Sequence, residues 1–369
     1  MAINALLVDP SLFTAPYDAA LNAGLNRAGV TTLWATRGLR AGEGADLPEA
    51  QTAPIFYPGF EASAKKGGAL AKLRKAMSHV GSTRRLVKLA QDWPADIVHF
   101  QWSVLPAADL RAILKLRDRA PVVLTVHDTT PFNGNPTSKL QVMGFDRILS
   151  EVDHVIVHTS RGRAALRQAG CPEGKLSVIP HGPFTLDLSA AKPPSPRDPR
   201  WTCLLFGRLQ DYKGVDVLID ALAQLPQDRR DAIRVIIAGE PFCDLAPAQA
   251  KAAQENLPVE WRLGWLSDAQ MADLMLEGDA LLFPYRRIEA SGVYYLTKGL
   301  GKWIIASDLG AFGDEITPET GHLVAPGDGA ALAQALLDSI GKVSGKGSIG
   351  TDWPEIGQRT AALYKTLIG

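Results

Sequence analysis

Two cations, Arg208 and Lys213, stand five positions apart in "FGRLQDYKG", between an apolar run, "CLLFG", and a segment of helical spacing, "VDVLIDAL". On a loop between strand and helix such a pair can pinch a diphosphate, Arg with its planar fork and Lys as a point charge. Taken alone it could equally be two solvated loop cations. Later, "FPYRRIEASGVYY" follows another apolar run and places Glu289, Ser291 and Gly292 at the head of a helical segment. A helix N-terminus offers unpaired N–H groups and partial positive charge, and Gly admits a ligand close to the backbone. Glu289 beside it suits a hydroxylated group. The two constellations together point to a hydroxylated molecule carrying a diphosphate.

A third group lies in the first half. His127 and Asp128 close the apolar run "PVVLTVHD", where a histidine can contact a sugar through its ring or backbone. Tyr17 and Asp18 head the first helical segment, where they could stack on and bond a sugar or form an ordinary staple and first-turn acid. His99, in "DIVHFQW", reads as a buried or supporting residue, and His154, His158 and His181 as structural residues at element ends.

These residues need parallel strands to carry them. The first half alternates "NALLVD", "VTTLWA", "DIVHFQ", "PVVLTVHD", "DHVIVHT" and "KLSVIPHG" with helical segments. "SAAKPPSPRDPR" interrupts, and a second alternating series runs through "WTCLLFG", "IRVIIAGE", "VEWRLG", "ALLFP", "WIIAS" and "GHLVAP". Such alternation predicts an α/β protein of two doubly wound, Rossmann-like domains facing across a cleft, with ligands at the carboxyl ends of the strands. The expected boundaries are residues 1–183, a linker at 184–200, residues 201–350, and a C-terminal helix at 351–369 that packs back on the first domain.

The 369 residues are 46% hydrophobic, enough for two cores. Cys171, Cys203 and Cys243 are far apart, which implies neither a disulfide framework nor a zinc site and makes a cytoplasmic setting the default. "MAINALLVDP" reads as a first strand, not a leader, and no apolar run is long enough for a membrane span. Thirty-nine basic and 39 acidic residues cancel overall, but residues 1–183 hold 21 against 15. Much of that excess falls in "KKGGALAKLRKAMSHVGSTRRLVK", Lys65 to Lys88, which has no acidic residue and places Leu70, Leu73, Met77 and Val80 at helical spacing. This is either a solvated helix face or an amphipathic helix suited to an anionic membrane surface or a phosphorylated acceptor. No aromatic residues interleave with these charges, so nucleic acid is not expected. No D-x-D, early G-x-G-x-x-G, P-loop or G-x-S-x-G occurs, and neither a metal nor a resident cofactor is expected.

The segments "FGRLQDYKGVDVLIDAL", "RVIIAGE", "WRLGWLSDAQMADLMLEGDALLFPY" and "IEASGV…GKWIIASDLGAFGDEI…GHLVAPGD" resemble the donor half of retaining GT-B glycosyltransferases of family 4. The likeness covers nearly all of Trp201 to Asp328 and extends to "DIVHFQW", "LTVHD", "VHTSRGRAAL" and "VIPHGPF". It implies that Arg208 and Lys213, with Gly207, hold the diphosphate of a nucleotide sugar, and that Glu289 bonds sugar hydroxyls. Ser291, Gly292 and Val293 would offer N–H groups to the far phosphate. Gly264, Trp265 and Leu266 would border the nucleobase, and His127 would lie beside the transferred sugar's hydroxymethyl group. Where the family has a second glutamate for the ribose, this chain has Thr297, which is placed with the nucleobase and ribose group, while Tyr17, Asp18 and Asp128 are placed on the acceptor side. The "SGV" form resembles a branch in which that glutamate is often replaced. The resemblance implies hexosyl transfer with retention and without metal to a glycan or lipid-linked acceptor, in polysaccharide or glycolipid assembly on the inner face of the membrane. A UDP-sugar is slightly favoured over a GDP-sugar, only because UDP is the commoner carrier. An epimerase or hydrolase of the same fold, or a non-catalytic scaffold suggested by Thr297, would be the alternatives.

Overall fold

The computed structural model describes residues 2–60, 69–129, 143–189, 191–192, 198–344 and 351–369. The chain divides into two compact units, Met1–Gly182 with Thr351–Gly369, and Pro183–Gly350.

The first unit is a seven-stranded parallel sheet. Its strands are β1 (Ile3–Asp9), β2 (Val30–Arg37), β3 (Thr52–Phe56), β4 (Ile97–Phe100), β5 (Val122–Val126), β6 (His154–Val157) and β7 (Leu176–Val178), in the order β3-β2-β1-β4-β5-β6-β7. β4, β5 and β6 are buried along their whole length, as expected of parallel strands covered on both faces. Helices α1 (Ala15–Arg27), α2 (Ala69–Asp92) and α3 (Pro106–Arg117) belong to this unit. Strand β3, "TAPIF", has no counterpart in the sequence reading. It carries Pro54 and lies at the sheet edge, where a missing N–H is tolerated.

The last helix, Trp353–Ile368, packs on α1 at a backbone-to-backbone crossing. A Cβ on Gly357 would stand 2.2 Å from the carbonyl carbon and oxygen of Gly24, so only glycine allows the approach. Tyr364 Oη lies 2.6 Å from His99 Nδ1, and His99 Nε2 lies 2.7 Å from Thr125 Oγ1, which ties this helix to β4 and β5.

The second unit is a six-stranded parallel sheet. It comprises β8 (Trp201–Phe206), β9 (Ile233–Gly239), β10 (Val259–Leu263), β11 (Ala280–Phe283), β12 (Trp303–Ser307) and β13 (Gly321–Val324), in the order β10-β9-β8-β11-β12-β13. The strand order reverses between β8 and β11, so the loops after these two strands diverge and leave a crevice at the carboxyl edge. The expected linker is partly a correction. Phe184, Leu186 and Leu188 pack against this unit's core, and Phe184 N donates to Tyr295 O at 2.9 Å. Alternating apolar residues at 184, 186 and 188 were the overlooked signal, masked by the Pro-rich stretch that follows.

Candidate functional site

In the second unit the residues singled out from sequence gather at the β8–β11 reversal. Gly207 ends β8 with φ +111°, and a Cβ there would meet Val293 Cγ2 at 3.0 Å and Lys213 Nζ at 3.4 Å. Gly207, Lys213 and Val293 are therefore neighbours although 86 positions of sequence separate the outer two. Lys213 is only 3% exposed. Its Nζ donates to Tyr285 Oη at 2.6 Å and to Phe206 O at 3.3 Å. Burial pushes its pKa down to about 8, still high enough to leave it a cation at neutral pH. Such a buried ammonium, with one phenol and one carbonyl for company, is arranged to receive a negative group. Arg208 is exposed and lies over the Phe242 ring at 5.8 Å.

Three glycines end three adjacent strands: Gly207 after β8, Gly239 in β9 and Gly264 after β10, with φ +111°, +128° and +130°. A Cβ on Gly239 would sit 2.0 Å from Gly207 O. The carboxyl edge is thus a ledge of bare backbone, which a ligand can approach closely. Gly239 was absent from the sequence-derived site, though the recurring pattern of an apolar strand closed by glycine was visible there. Trp265, next to Gly264, is 76% exposed, and Leu266 is half-buried against the core.

Ser291 caps the helix Gly292–Thr297, its Oγ accepting from Tyr294 N at 3.4 Å. The hydroxyl is therefore engaged in the cap, and what this turn presents outward is backbone. Gly292 is exposed, and a Cβ there would meet nothing within 4 Å. Half-buried Glu289 is fixed by its backbone, Ala311 N donating to its carbonyl at 2.9 Å, with Gly310 too close to bear a side chain. The expectation for Thr297 needs correction. Its side chain is buried, and its hydroxyl donates to Val293 O at 2.9 Å and approaches Tyr294 O at 3.1 Å, within its own helix. A threonine hydroxyl that returns to the preceding turn is not held out toward a ribose.

The first unit brings together His127, Tyr17 and a set of aromatic residues at the carboxyl edge. His127 stacks on Trp102 with centroids 4.9 Å apart at 13°, and meets the edge of Tyr17 at 4.8 Å. Of the two readings open for Tyr17 and Asp18, acceptor contact or local packing, the geometry fits packing. Tyr17 is a buried wedge among His127, His181 and Trp353, not an open stacking surface. Asp18 is wholly buried beside Asp9, its Oδ1 3.4 Å from Thr14 Oγ1, and burial followed by the Asp9 charge raises its pKa well above the usual carboxylate range. It holds the turn between β1 and α1 together. The exposed aromatic here is Phe13, edge-on to Trp102 at 5.5 Å. Asp128 is half-buried at the end of β5.

The expected basic helix is α2, apart from residues 65–68, which lie outside the described residues. Leu70, Leu73, Met77 and Val80 stand exposed along one stripe of it. The opposite face is anchored: His79 Nδ1 lies 2.7 Å from Tyr57 Oη and His79 Nε2 lies 2.6 Å from Asp109 Oδ1, all buried. Arg74, Lys75, Arg84, Arg85 and Lys88 lie along the same helix, without an acidic residue before Asp92.

Two doubly wound parallel α/β sheets form the GT-B architecture. Matches to known proteins agree with it. A model of Glycosyltransferase Family 4 matches residues 22–183, and one of Glycosyl transferases group 1 matches residues 200–341. The chain is 30% identical over 257 residues to a phosphatidyl-myo-inositol mannosyltransferase of Mycobacterium leprae, 67% of this chain and 64% of that one. It is 26% identical over 174 residues to a GDP-mannose:glycolipid 4-beta-D-mannosyltransferase of Xanthomonas campestris pv. campestris, 45% of this chain and 49% of that one. The matched stretch thus spans between about half and two-thirds of these relatives. The crystal structure of Anabaena HepE in complex with UDP and glucose shares the fold, with a TM-score of 0.65 over 99% of both chains at 18% identity. The chain belongs to the GT-B glycosyltransferases of family 4/group 1.

Proposed function

We propose that this protein is a retaining, metal-independent glycosyltransferase that moves a hexose from a nucleoside-diphosphate sugar to a glycan or lipid-linked acceptor. The observation that carries this reading is the buried Lys213 ammonium converging with Gly207 and Val293 at the strand-order reversal. Donor cleavage breaks the bond between the anomeric carbon and the β-phosphate oxygen, leaving negative charge on the diphosphate. Lys213, Arg208 and the backbone N–H groups from Gly292 onward are the groups that would stabilise this charge as it forms, in the part a metal plays elsewhere. Glu289 would bond the sugar's hydroxyls. With same-face attack, the acceptor oxygen bonds to the anomeric carbon and its proton passes to the leaving phosphate. That route gives retention without a protein nucleophile.

The nucleobase would rest by Gly264, Trp265 and Leu266. Commonness favoured UDP, and a structural neighbour is named with UDP; the Xanthomonas relative is named for GDP-mannose and is closer in sequence. GDP-mannose is therefore the donor to try first and UDP-glucose the second.

The acceptor is expected at an anionic lipid surface on the cytoplasmic face of the membrane. The exposed apolar stripe of α2 with its flanking cations supports this, since apolar burial and attraction to anionic headgroups add in one helix. Both relatives carry glycolipid or phosphatidylinositol in their names.

The test is transfer from each labelled donor to a lipid extract, with and without EDTA, followed by NMR of the new linkage. The anomeric configuration of the donor should survive, and EDTA should leave the rate unchanged. Inversion, or loss of activity restored by a divalent cation, would overturn the corresponding part of the reading.

A further inference from the structure

His127 does not stand alone on β5. His158 Nδ1 lies 2.9 Å from the backbone carbonyl of Ile179, and His158 Nε2 lies 3.1 Å from His127 Nδ1. A carbonyl only accepts, so His158 Nδ1 must carry a proton. In a neutral ring the other nitrogen, Nε2, is then a bare acceptor. The nitrogen facing it, His127 Nδ1, must therefore be the donor. A neutral His127 that donates through Nδ1 has its lone pair on Nε2. That atom is buried and has no hydrogen-bond partner. Both rings stay neutral: burial, with the neighbouring histidines, lowers His127 well below the usual range, and burial brings His158 down to about 4. The His127 ring is held on one side by Trp102 and at its edge by Tyr17, so it has little freedom to flip.

We propose that His158 is a positioning residue that fixes His127 in the Nδ1–H tautomer, so that His127 Nε2 accepts a hydrogen bond from a hydroxyl of the bound sugar. A buried acceptor without a donor is costly, and a ligand O–H relieves it. The ligand end of this inference rests on the proposed hexosyl transfer. The relay itself does not, since it runs from the Ile179 carbonyl through two rings of the first unit. Sequence alone makes His158 a structural residue, and what promotes it is the pairing of strand ends 31 residues apart.

The test is ring-nitrogen NMR on the full chain with labelled histidine, for the wild type, His158→Phe and His158→Gln. The free wild type should show His127 protonated at Nδ1. His158→Phe removes the acceptor and should release the tautomer toward Nε2–H. His158→Gln offers an amide that can donate to Ile179 O and accept from His127, and should restore Nδ1–H. With GDP-mannose or UDP-glucose, transfer by His158→Phe should fall roughly tenfold or more, and by His158→Gln on the order of threefold at most. The free nucleoside diphosphate should bind all three alike. If the free wild type carries the Nε2–H tautomer, or if His158→Phe leaves Nδ1–H in place, the inference is overturned whatever the protein's function. If the diphosphate binds but the sugar nucleotide does not move the Nε2 resonance, the contact is overturned and glycosyl transfer survives. If neither binds, the hexosyl-transfer reading fails and the proposed contact fails with it.

Discussion

Lys213 is the residue on which the donor site turns, and its burial makes a thermodynamic prediction. Its folded pKa of about 8 lies below the 10.5 of a free lysine, so between those values the unfolded chain binds more protons and stability rises with pH. Below pH 8 the charge is held at a cost of about 3 kcal/mol. Lys213→Met should therefore raise the melting temperature while reducing affinity for nucleoside diphosphates roughly a hundredfold, by the loss of a buried charge-assisted contact. A variant that loses both stability and binding would mean that Lys213 is a structural group. In the wild type, calorimetric affinity for the diphosphate should fall as pH rises through about 8, because Lys213 loses its proton there, and the calorimetry should record proton uptake on binding in that range. The histidines of the first unit follow the same sign at low pH. Burial takes His99 down to about 3 and His158 to about 4, so the stability they contribute is complete above 6.5 and is lost as pH falls through those values. Circular dichroism of acid unfolding should show this loss beginning near pH 6 and shrinking in a His99→Gln variant.

At the scale of elements, α2 and the last helix carry separate predictions. One face of α2 is fixed by the Tyr57–His79–Asp109 chain while Leu73 and Met77 stand exposed on the other. Leu73→Glu with Met77→Glu should abolish co-sedimentation with phosphatidylglycerol vesicles and leave the melting temperature within about a degree, since surface positions contribute little to the fold. Equal sedimentation of wild type and variant would remove α2 from the membrane reading. Gly357→Ala places a methyl against the backbone of Gly24 and should destabilise the first unit by about 2 kcal/mol or more, seen as a lower midpoint in urea. An unchanged midpoint would mean that the two helices separate at little cost.

On the scale of the whole molecule, the chain order and the folded units do not coincide. Thr351–Gly369 comes last but belongs with Met1–Gly182, so the final helix completes the unit that the first strand begins. Much of this was legible beforehand. Runs such as "NALLVD" and "WTCLLFG" announced parallel strands because strands covered on both faces are apolar throughout, and Arg208, Lys213, Glu289 and Ser291 fell at strand ends for the same reason. What escaped was whatever depends on three-dimensional neighbours. Pro54 disguised an edge strand, and Asp18 looked available because its burial beside Asp9 arises only when β1 and α1 pack. Thr297 looked like a substitute ligand because nothing in the sequence reveals a hydroxyl turned back onto its own helix. The His127–His158 pairing likewise joins two strand ends that only the sheet makes adjacent. Thermal unfolding with GDP, UDP, ADP and dTDP tests whether the second unit holds a nucleoside diphosphate through Lys213 and Arg208. A ligand that binds only the folded protein stabilises it by about 2.7 kcal/mol at a hundredfold excess over its dissociation constant. The melting temperature should rise clearly with GDP or UDP and the rise should disappear in Arg208→Ala/Lys213→Ala; no rise with any of the four at millimolar concentration, or an equal rise in the double variant, would rule this binding out.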